Sequence, residues 1–258
     1  MRYSGSKRNL RKYVVSFFPK DCDTYYEPFC GGCSILYTVV EEDLFKKYCA
    51  SDLYKPLIDT LLCVKNNPQE LLRNYVFKWH RLLQNREYYY DVRKHFNENN
   101  NPNDFFFLSR TCINGLMRFN PKGYFNSAIH LGRNGITPKM LKKTIRDWYI
   151  KLQCVNISCC DFEVLKENIH ANDFVYLDPP YYINTGFYYY KELKINRLVD
   201  FLFFLNTKGT KWCLSYNNDE VIPQSVYKRK IGNQLAKNVF RKFQMDFSET
   251  TDFLFMNY

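Results

Sequence analysis

The sequence predicts an α/β fold: both ends of the chain form one Rossmann-like sheet, and the middle forms an inserted, mainly helical lobe. Short strand-like and helix-like pieces alternate over residues 23–52 and again from residue 155 onward, the rhythm of βαβ units. Between them, apolar residues recur at spacings of three and four, which marks amphipathic helices. On this reading residues 1–58 and 152–258 make the sheet-centred core, and residues 59–151 make the lobe.

Residues 23–29 read as the first strand, followed by a glycine turn, a helix over residues 34–40, and a second strand over residues 47–50 that ends at Ser51-Asp52. From Pro56 to about Gln84, Leu57, Leu61 and Leu62, then Leu71, Leu72, Tyr75, Val76, Trp79, Leu82 and Leu83, predict two helices broken at Asn67-Pro68. The run Asn-Glu-Asn-Asn-Asn-Pro-Asn-Asp over residues 97–104 is polar enough to predict an exposed loop. A turn-rich stretch over residues 114–134 carries Arg118, Lys122 and Arg133, just after Arg110. A helix over residues 139–148 closes the lobe. Strands are expected over residues 155–158, 174–177, 212–216 and 253–256, with a helix over residues 193–205 and a polar turn over residues 248–252.

The totals limit the function classes. With 258 residues and 46% hydrophobic composition the chain can bury one sizeable core. It contains no run of 18 apolar residues and no secretory leader pattern, so a soluble, intracellular protein with no membrane association is expected. Ten cysteines in a chain of this size fit reduced thiols better than a disulfide scaffold. Cys30 and Cys33 form the one C-x-x-C, and His80, His95, His130 and His170 offer no second half-site, so no metal is expected. A formal net charge of +11 together with 22 Tyr and 22 Phe suits a nucleic-acid partner. The same composition also arises in proteins of AT-rich genomes, so charge alone decides nothing.

Two constellations carry chemistry. In Pro28-Phe-Cys-Gly-Gly-Cys-Ser34, Gly31 and Gly32 allow a tight strand-to-helix turn against which a ligand can pack. Asp52, at the end of the next strand, can accept both hydroxyls of a ribose. Asp178-Pro179-Pro180-Tyr181 follows another apolar strand. An aromatic amine delocalises its lone pair into the ring, so a catalyst must accept both of its N–H groups to turn the nitrogen toward an electrophile. Asp178 offers a carboxylate acceptor, the carbonyl held between two prolines offers a rigid one, and Tyr181 offers a flat face for an extruded base.

With these residues in place the sequence resembles the Dam-like DNA adenine methyltransferases. The matching segments are Arg2-Tyr-Ser-Gly-Ser-Lys7, Glu27-Pro-Phe-Cys-Gly-Gly-Cys-Ser34, Ser51-Asp52, Asn114-Gly-Leu-Met-Arg-Phe-Asn120, Gly123-Tyr-Phe-Asn126, Asp161-Phe162 and Asp178-Pro-Pro-Tyr181. The resemblance implies the S-adenosylmethionine-dependent methyltransferase fold. It implies a cofactor site formed by Tyr3, Lys7, Phe29, Gly31, Gly32, Ser34, Asp52, Asp161, Phe162 and Asp178. In that site Asp52 meets the ribose, and Asp161 and Phe162 meet the adenine. Asp178, Pro179, Pro180 and Tyr181 would serve the target base of double-stranded DNA, and Arg2, Ile113, Asn114, Arg118 and Arg133 would contact the duplex. The family's glycine turn generally closes with Gly, where Cys33 stands here. Relatives wedge a ring into the DNA stack where this chain has Ile113.

The implied function is methylation of adenine at a GATC-like palindrome, as in restriction–modification. The rival readings are amino methylation of cytosine or RNA and an inactive, DNA-binding methyltransferase-like subunit. The basic opening over residues 7–12 is read as a phosphate track or a solvated face, and the tyrosine triplets 88–90 and 188–190 as core and rim.

Overall fold

The computed structural model describes residue 3 and residues 5–181, 193–217, 220–232 and 253–258. Its strands are β1 (Thr24–Glu27), β2 (Lys47–Asp52), β3 (Val155–Cys159), β4 (Phe174–Leu177), β5 (Lys211–Tyr216), β6 (Arg229–Gly232) and β7 (Phe253–Met256). They form one sheet in the order β3-β2-β1-β4-β5-β7-β6. The first five are parallel, with Tyr25 of β1 in register with both Tyr48 of β2 and Phe174 of β4. β7 runs antiparallel to β5 and β6.

Side chains alternate across this sheet because a strand has a period of two. Tyr25, Phe174, Tyr176, Cys213 and Met256 enter one apolar cluster, while Tyr26, Val175, Leu177, Trp212, Leu214 and Phe255 enter the other. Both faces are therefore covered, and all four residues of β4 are buried, as expected of a central parallel strand. The helices are α1 (Arg11–Val15), α2 (Ser34–Glu41), α3 (Lys55–Asn66), α4 (Pro68–Gln84), α5 (Tyr88–Asn99), α6 (Pro102–Thr111), α7 (Pro138–Leu152) and α8 (Ile195–Lys208). α1 and α2 pack on the first face, and α8 packs on the second through Leu198, Phe201, Leu202 and Leu205.

The break at Asn67-Pro68 lies where the sequence predicts it, since Pro starts α4 without needing an N–H partner. The lobe is mainly helical, as expected. Its core is continuous with the first face of the sheet: Leu57, Ile58 and Leu61 of α3 join Tyr75, Tyr89 and Phe105, Phe106 and Phe107 in the same cluster as Tyr25 and Phe174. The sequence-based division between residues 58 and 59 falls inside α3. Tyr89 is buried with its hydroxyl donating to the Ser127 carbonyl at 3.0 Å, and Tyr88 and Tyr90 lie beside Arg81 and Arg93, in keeping with core and rim roles. Residues 188–190 and 248–252 lie outside the described residues.

The expected exposed loop over residues 97–104 is a correction. Residues 97–99 end α5, Asn100 takes the left-handed conformation, and the Asn101 side chain accepts from the Asn103 N–H as the N-cap of α6. Asn-Pro-x-Asp is a helix start, and its polarity serves capping rather than solvation. Asp104 then goes inward, where Lys78 Nζ lies 2.9 Å away and His95 Nδ1 2.5 Å away. The sequence did not predict α1, the 3-10 turn Phe162–Glu167 or β6. None of the helices among the described residues is long and apolar enough to cross a membrane.

The buried Lys78–Asp104 pair makes a prediction. Asp104→Ala leaves an ammonium uncompensated beneath the lobe and is expected to lower unfolding free energy by about 3–5 kcal/mol, whereas Asp104→Leu combined with Lys78→Met restores most of it. Urea denaturation of the three proteins measures this; equal losses in the single and double variants would contradict it.

Candidate active site at the carboxyl ends of the strands

The winding of the sheet reverses between β1 and β4, and parallel sheets hold ligands outside the carboxyl ends of their strands at such a point. Four adjacent strands deliver their following loops there. β1 leads into residues 28–33, β2 ends at Asp52, β3 leads to Asp161-Phe162, and β4 leads to Asp178-Pro-Pro-Tyr181. Together they line a cavity of about 440 Å³, within the roughly 300–1,000 Å³ usual for small-ligand sites. All the residues expected at the cofactor, and all four of the Asp-Pro-Pro-Tyr segment, border it: Tyr3, Lys7, Phe29, Gly31, Gly32, Ser34, Asp52, Asp161, Phe162, Asp178, Pro179, Pro180 and Tyr181.

The glycine turn is fastened to β2. Gly31 N–H donates to Asp52 Oδ2 at 3.0 Å, and Tyr54 N–H donates to Asp52 Oδ1 at 3.0 Å. Gly31 has φ +46°, and a Cβ there would meet the Tyr3 ring at 3.3 Å, so a side chain would be strained by the backbone and would crowd that ring. Burial pushes the Asp52 carboxyl up, opposed by the N–H groups of Tyr54, Gly31 and Leu53. The next helix, α2, begins at Ser34 with no side-chain cap, leaving its first N–H groups at the cavity wall.

Opposite the turn, Lys7 Nζ lies 3.1 Å from Asp178 Oδ1 and contacts the Tyr181 hydroxyl. The same ammonium stands 4.6 Å from the centroid of the Tyr181 ring. The Tyr181 hydroxyl also lies 3.3 Å from Ser215 Oγ, and the Tyr181 ring meets Tyr216 edge-on at 5.6 Å. The basic opening therefore splits: Lys7 turns into the cavity, while Arg8 and Arg11 line a neighbouring groove.

Of the charged residues that line the cavity, sequence reasoning left two unassigned. Glu27 is 3% exposed and accepts a hydrogen bond from the Tyr25 hydroxyl at 2.6 Å. Burial pushes its carboxyl up to about 8, opposed by that hydroxyl and by the Leu36 N–H and reinforced by the charges of Asp178 and Asp52. The motif Glu-Pro-Phe places it beside the turn, but only the fold shows it is desolvated. Arg197, from the first turn of α8, is the other. Among the described residues no cluster of three metal-ligating side chains occurs.

The groove adjoins the cavity through shared walls at Tyr3, Ser6 and Ser34 and measures about 980 Å³. Arg8, Asn9 and Arg11 line it together with Arg110, Asn114, His130 and Arg133 from the lobe. Asn114 has φ 52° within an irregular hairpin held by Ile113 N–H to Ala128 O at 2.9 Å and Asn126 N–H to Arg118 O at 2.7 Å. Of the residues expected at DNA, Asn114 and Arg133 border the groove. Ile113 and Arg118 lie in the same hairpin without lining it, and Arg2 is outside the described residues. The turn bearing Arg133 is gripped from behind by Arg86, which donates to Asn134 Oδ1 and to the His130 carbonyl, both at 2.7 Å.

Known proteins resemble this chain over most of its length. The family model described as D12 class N6 adenine-specific DNA methyltransferase matches residues 3–247. The type II methyltransferase M.MjaIII of Methanocaldococcus jannaschii is 32% identical over 247 residues, 85% of this chain and 84% of that protein. The modification methylase StsI of Streptococcus sanguinis is 27% identical across 83% of this chain, which spans only 34% of that longer protein. The DNA adenine methylase of Haemophilus influenzae is 27% identical over 70% of this chain and 63% of its own length.

Glu27 makes the fold pH-sensitive with a defined sign. Its folded value of about 8 lies above the ordinary 4.5, so the folded state holds an extra proton between those values. Stability from this group is full below about pH 4.5 and is lost as pH rises toward 8. Relative to wild type, Glu27→Gln should gain stability between about pH 5 and pH 8, by on the order of 1–4 kcal/mol in urea denaturation. A difference that stays constant across that range would rule out a buried, proton-binding Glu27.

Proposed function

The chain belongs to the D12 class N6 adenine-specific DNA methyltransferase family, and on that premise we propose that it methylates the exocyclic amino nitrogen of an adenine flipped out of duplex DNA. The methyl donor is S-adenosylmethionine, which supplies an electrophilic methyl on a sulfonium. The observation that carries this reading is the shared cavity. Asp178-Pro-Pro-Tyr181 borders the same space as Gly31 and Asp52, so a base held at one end can face a nucleoside held at the other.

The residues present fit the cofactor. Gly31 lets the backbone pack against a ligand without a Cβ, and the Asp52 carboxylate, fixed by backbone N–H groups on both oxygens, keeps acceptor capacity for a ribose hydroxyl. The uncapped start of α2 offers N–H groups and a partial positive charge to an amino acid's carboxylate. Glu27, which feels the charges of both Asp52 and Asp178, borders the same cavity, and the charged carboxylates of Asp52 and Asp178 suit the cationic part of the same molecule.

At the other end, Asp178 and the Pro179 carbonyl accept the two N–H groups of the target amine and draw its lone pair out of the ring plane. Tyr181 packs against the base. The nitrogen would take the methyl group as the bond from that carbon to the sulfonium sulfur breaks, leaving a neutral thioether, and would then release one proton to Asp178 or to water; fixed acceptors and positioning supply the rate. Lys7 ties Asp178 and Tyr181 together. The groove carries the duplex, with Arg8 and Arg11 facing phosphates from the core side and Asn114 and Arg133 from the lobe. A GATC-like palindrome is the first sequence to test.

Labelled-methyl incorporation into duplex DNA, followed by digestion and identification of the base, is expected to give N6-methyladenine. Asp178→Ala should lose at least about 100-fold in turnover and still bind S-adenosylhomocysteine. Methylcytosine as product, or an undiminished Asp178→Ala, overturns the assignment. Arg133→Ala separates two roles for the groove: a phosphate contact reduces the slope of log affinity against log salt by about 1 with every sequence, whereas a guanine contact costs about 1–3 kcal/mol on the cognate site alone. No change in either measurement would remove Arg133 from the interface.

A further inference from the structure

Arg197 reaches from the first turn of α8 across to the loop after β3. Nη2 donates to Asp161 Oδ1 at 2.7 Å and contacts Glu163 Oε2, and Nε donates to Glu163 Oε2 at 2.7 Å. The guanidinium carbon lies 5.1 Å from the centroid of the Phe162 ring, which is flanked by Phe29 and Phe201 at 5.1 Å each. Asp161 Oδ1 also accepts the Glu163 N–H at 3.0 Å, which starts the 3-10 turn Phe162–Glu167. That oxygen therefore has two protein donors. Among the described residues, Asp161 Oδ2 has none.

We propose that Arg197 is a positioning residue that makes the cofactor cavity selective for a 6-aminopurine. It does so by fixing Asp161 Oδ1 within the protein and leaving Oδ2 as the acceptor for the purine's exocyclic amine. This rests on the cavity being the S-adenosylmethionine site. An ionised carboxylate only accepts, and one anchored through Oδ1 keeps its second oxygen from swinging away from the purine. A 6-aminopurine donates to it. A 6-oxopurine turns a carbonyl oxygen toward it, leaving two acceptors face to face. A site whose polar groups are fixed in this way rejects the mismatched analogue far more strongly than a loose one. Without Arg197, Asp161 and Glu163 are two neighbouring carboxylates with no shared cation, free to turn apart. Arg197 currently holds the Glu163 carboxyl below its ordinary range.

The test compares S-adenosylhomocysteine with its 6-oxo counterpart, S-inosylhomocysteine, by calorimetry on the full chain carrying Arg, Lys or Met at position 197. Wild type is expected to prefer the amino compound by at least about tenfold. Arg197→Met should bind S-adenosylhomocysteine about tenfold more weakly, with the preference reduced to a few-fold. Arg197→Lys should recover part of both, since an ammonium can pair with Asp161 but cannot form the fork to Glu163. The loss should appear in KM for S-adenosylmethionine more than in turnover, because the group acts on cofactor binding. A purely structural role lowers affinity for both compounds equally, so an undiminished preference in Arg197→Met overturns the inference while leaving the cofactor site intact. Wild type that binds neither compound overturns the cofactor site and this inference together.

Discussion

Everything at the site depends on β1 lying parallel and in register between β2 and β4. Tyr25 pairs with Tyr48 on one side and with Phe174 on the other. Parallel strands end on one edge, so the loops after them emerge together however far apart they stand in the chain. Lys7 meets Tyr181 across 174 residues of sequence, and Arg197 meets Asp161 across 36. α2 covers one face and α8 the other, and the cavity opens at the edge between β1 and β4.

The same edge separates charge. Glu27, Asp52 and Asp178 border the cavity, and burial raises the first two because their charges are poorly solvated there. Arg8, Arg11, Arg110 and Arg133 line the groove beside it. A cavity rich in carboxylates suits a cationic sulfonium compound, and a groove rich in arginine suits a polyanion. The net charge of +11 says little until it is located. Lys7 stands at the boundary and turns into the acidic side, paired with Asp178.

What was legible in the sequence was what rests on local chemistry. Pro68 after Asn67 cannot continue a helix that needs its N–H, so the break between α3 and α4 could be read directly. Asp52 and Asp178 were found because each ends a predicted strand. What escaped were features whose meaning depends on a distant partner. Residues 97–104 look like a solvated loop until Lys78 and His95, from α4 and α5, arrive beside Asp104. Arg197 reads as an exposed helix residue until β3 delivers Asp161 and Glu163 beneath it. Glu27 was visible as part of a motif, but desolvation is a property of the packed sheet and has no local signature.

The one substitution in the glycine turn follows from the same geometry. Cys33 has φ 55° and ψ 36°, the left-handed conformation that costs an ordinary residue about 1–2 kcal/mol relative to glycine. Its thiol is fully buried in the cluster beneath α2, so the side chain recovers apolar burial that glycine could not provide. At position 31 no such recovery is available. A Cβ there meets the Tyr3 ring instead of an apolar core, at the wall where a ligand must approach. The turn thus needs glycine where backbone faces the cavity and tolerates cysteine where the chain turns inward, which is why a departure from the Gly-rich pattern at 33 leaves the cavity's shape intact.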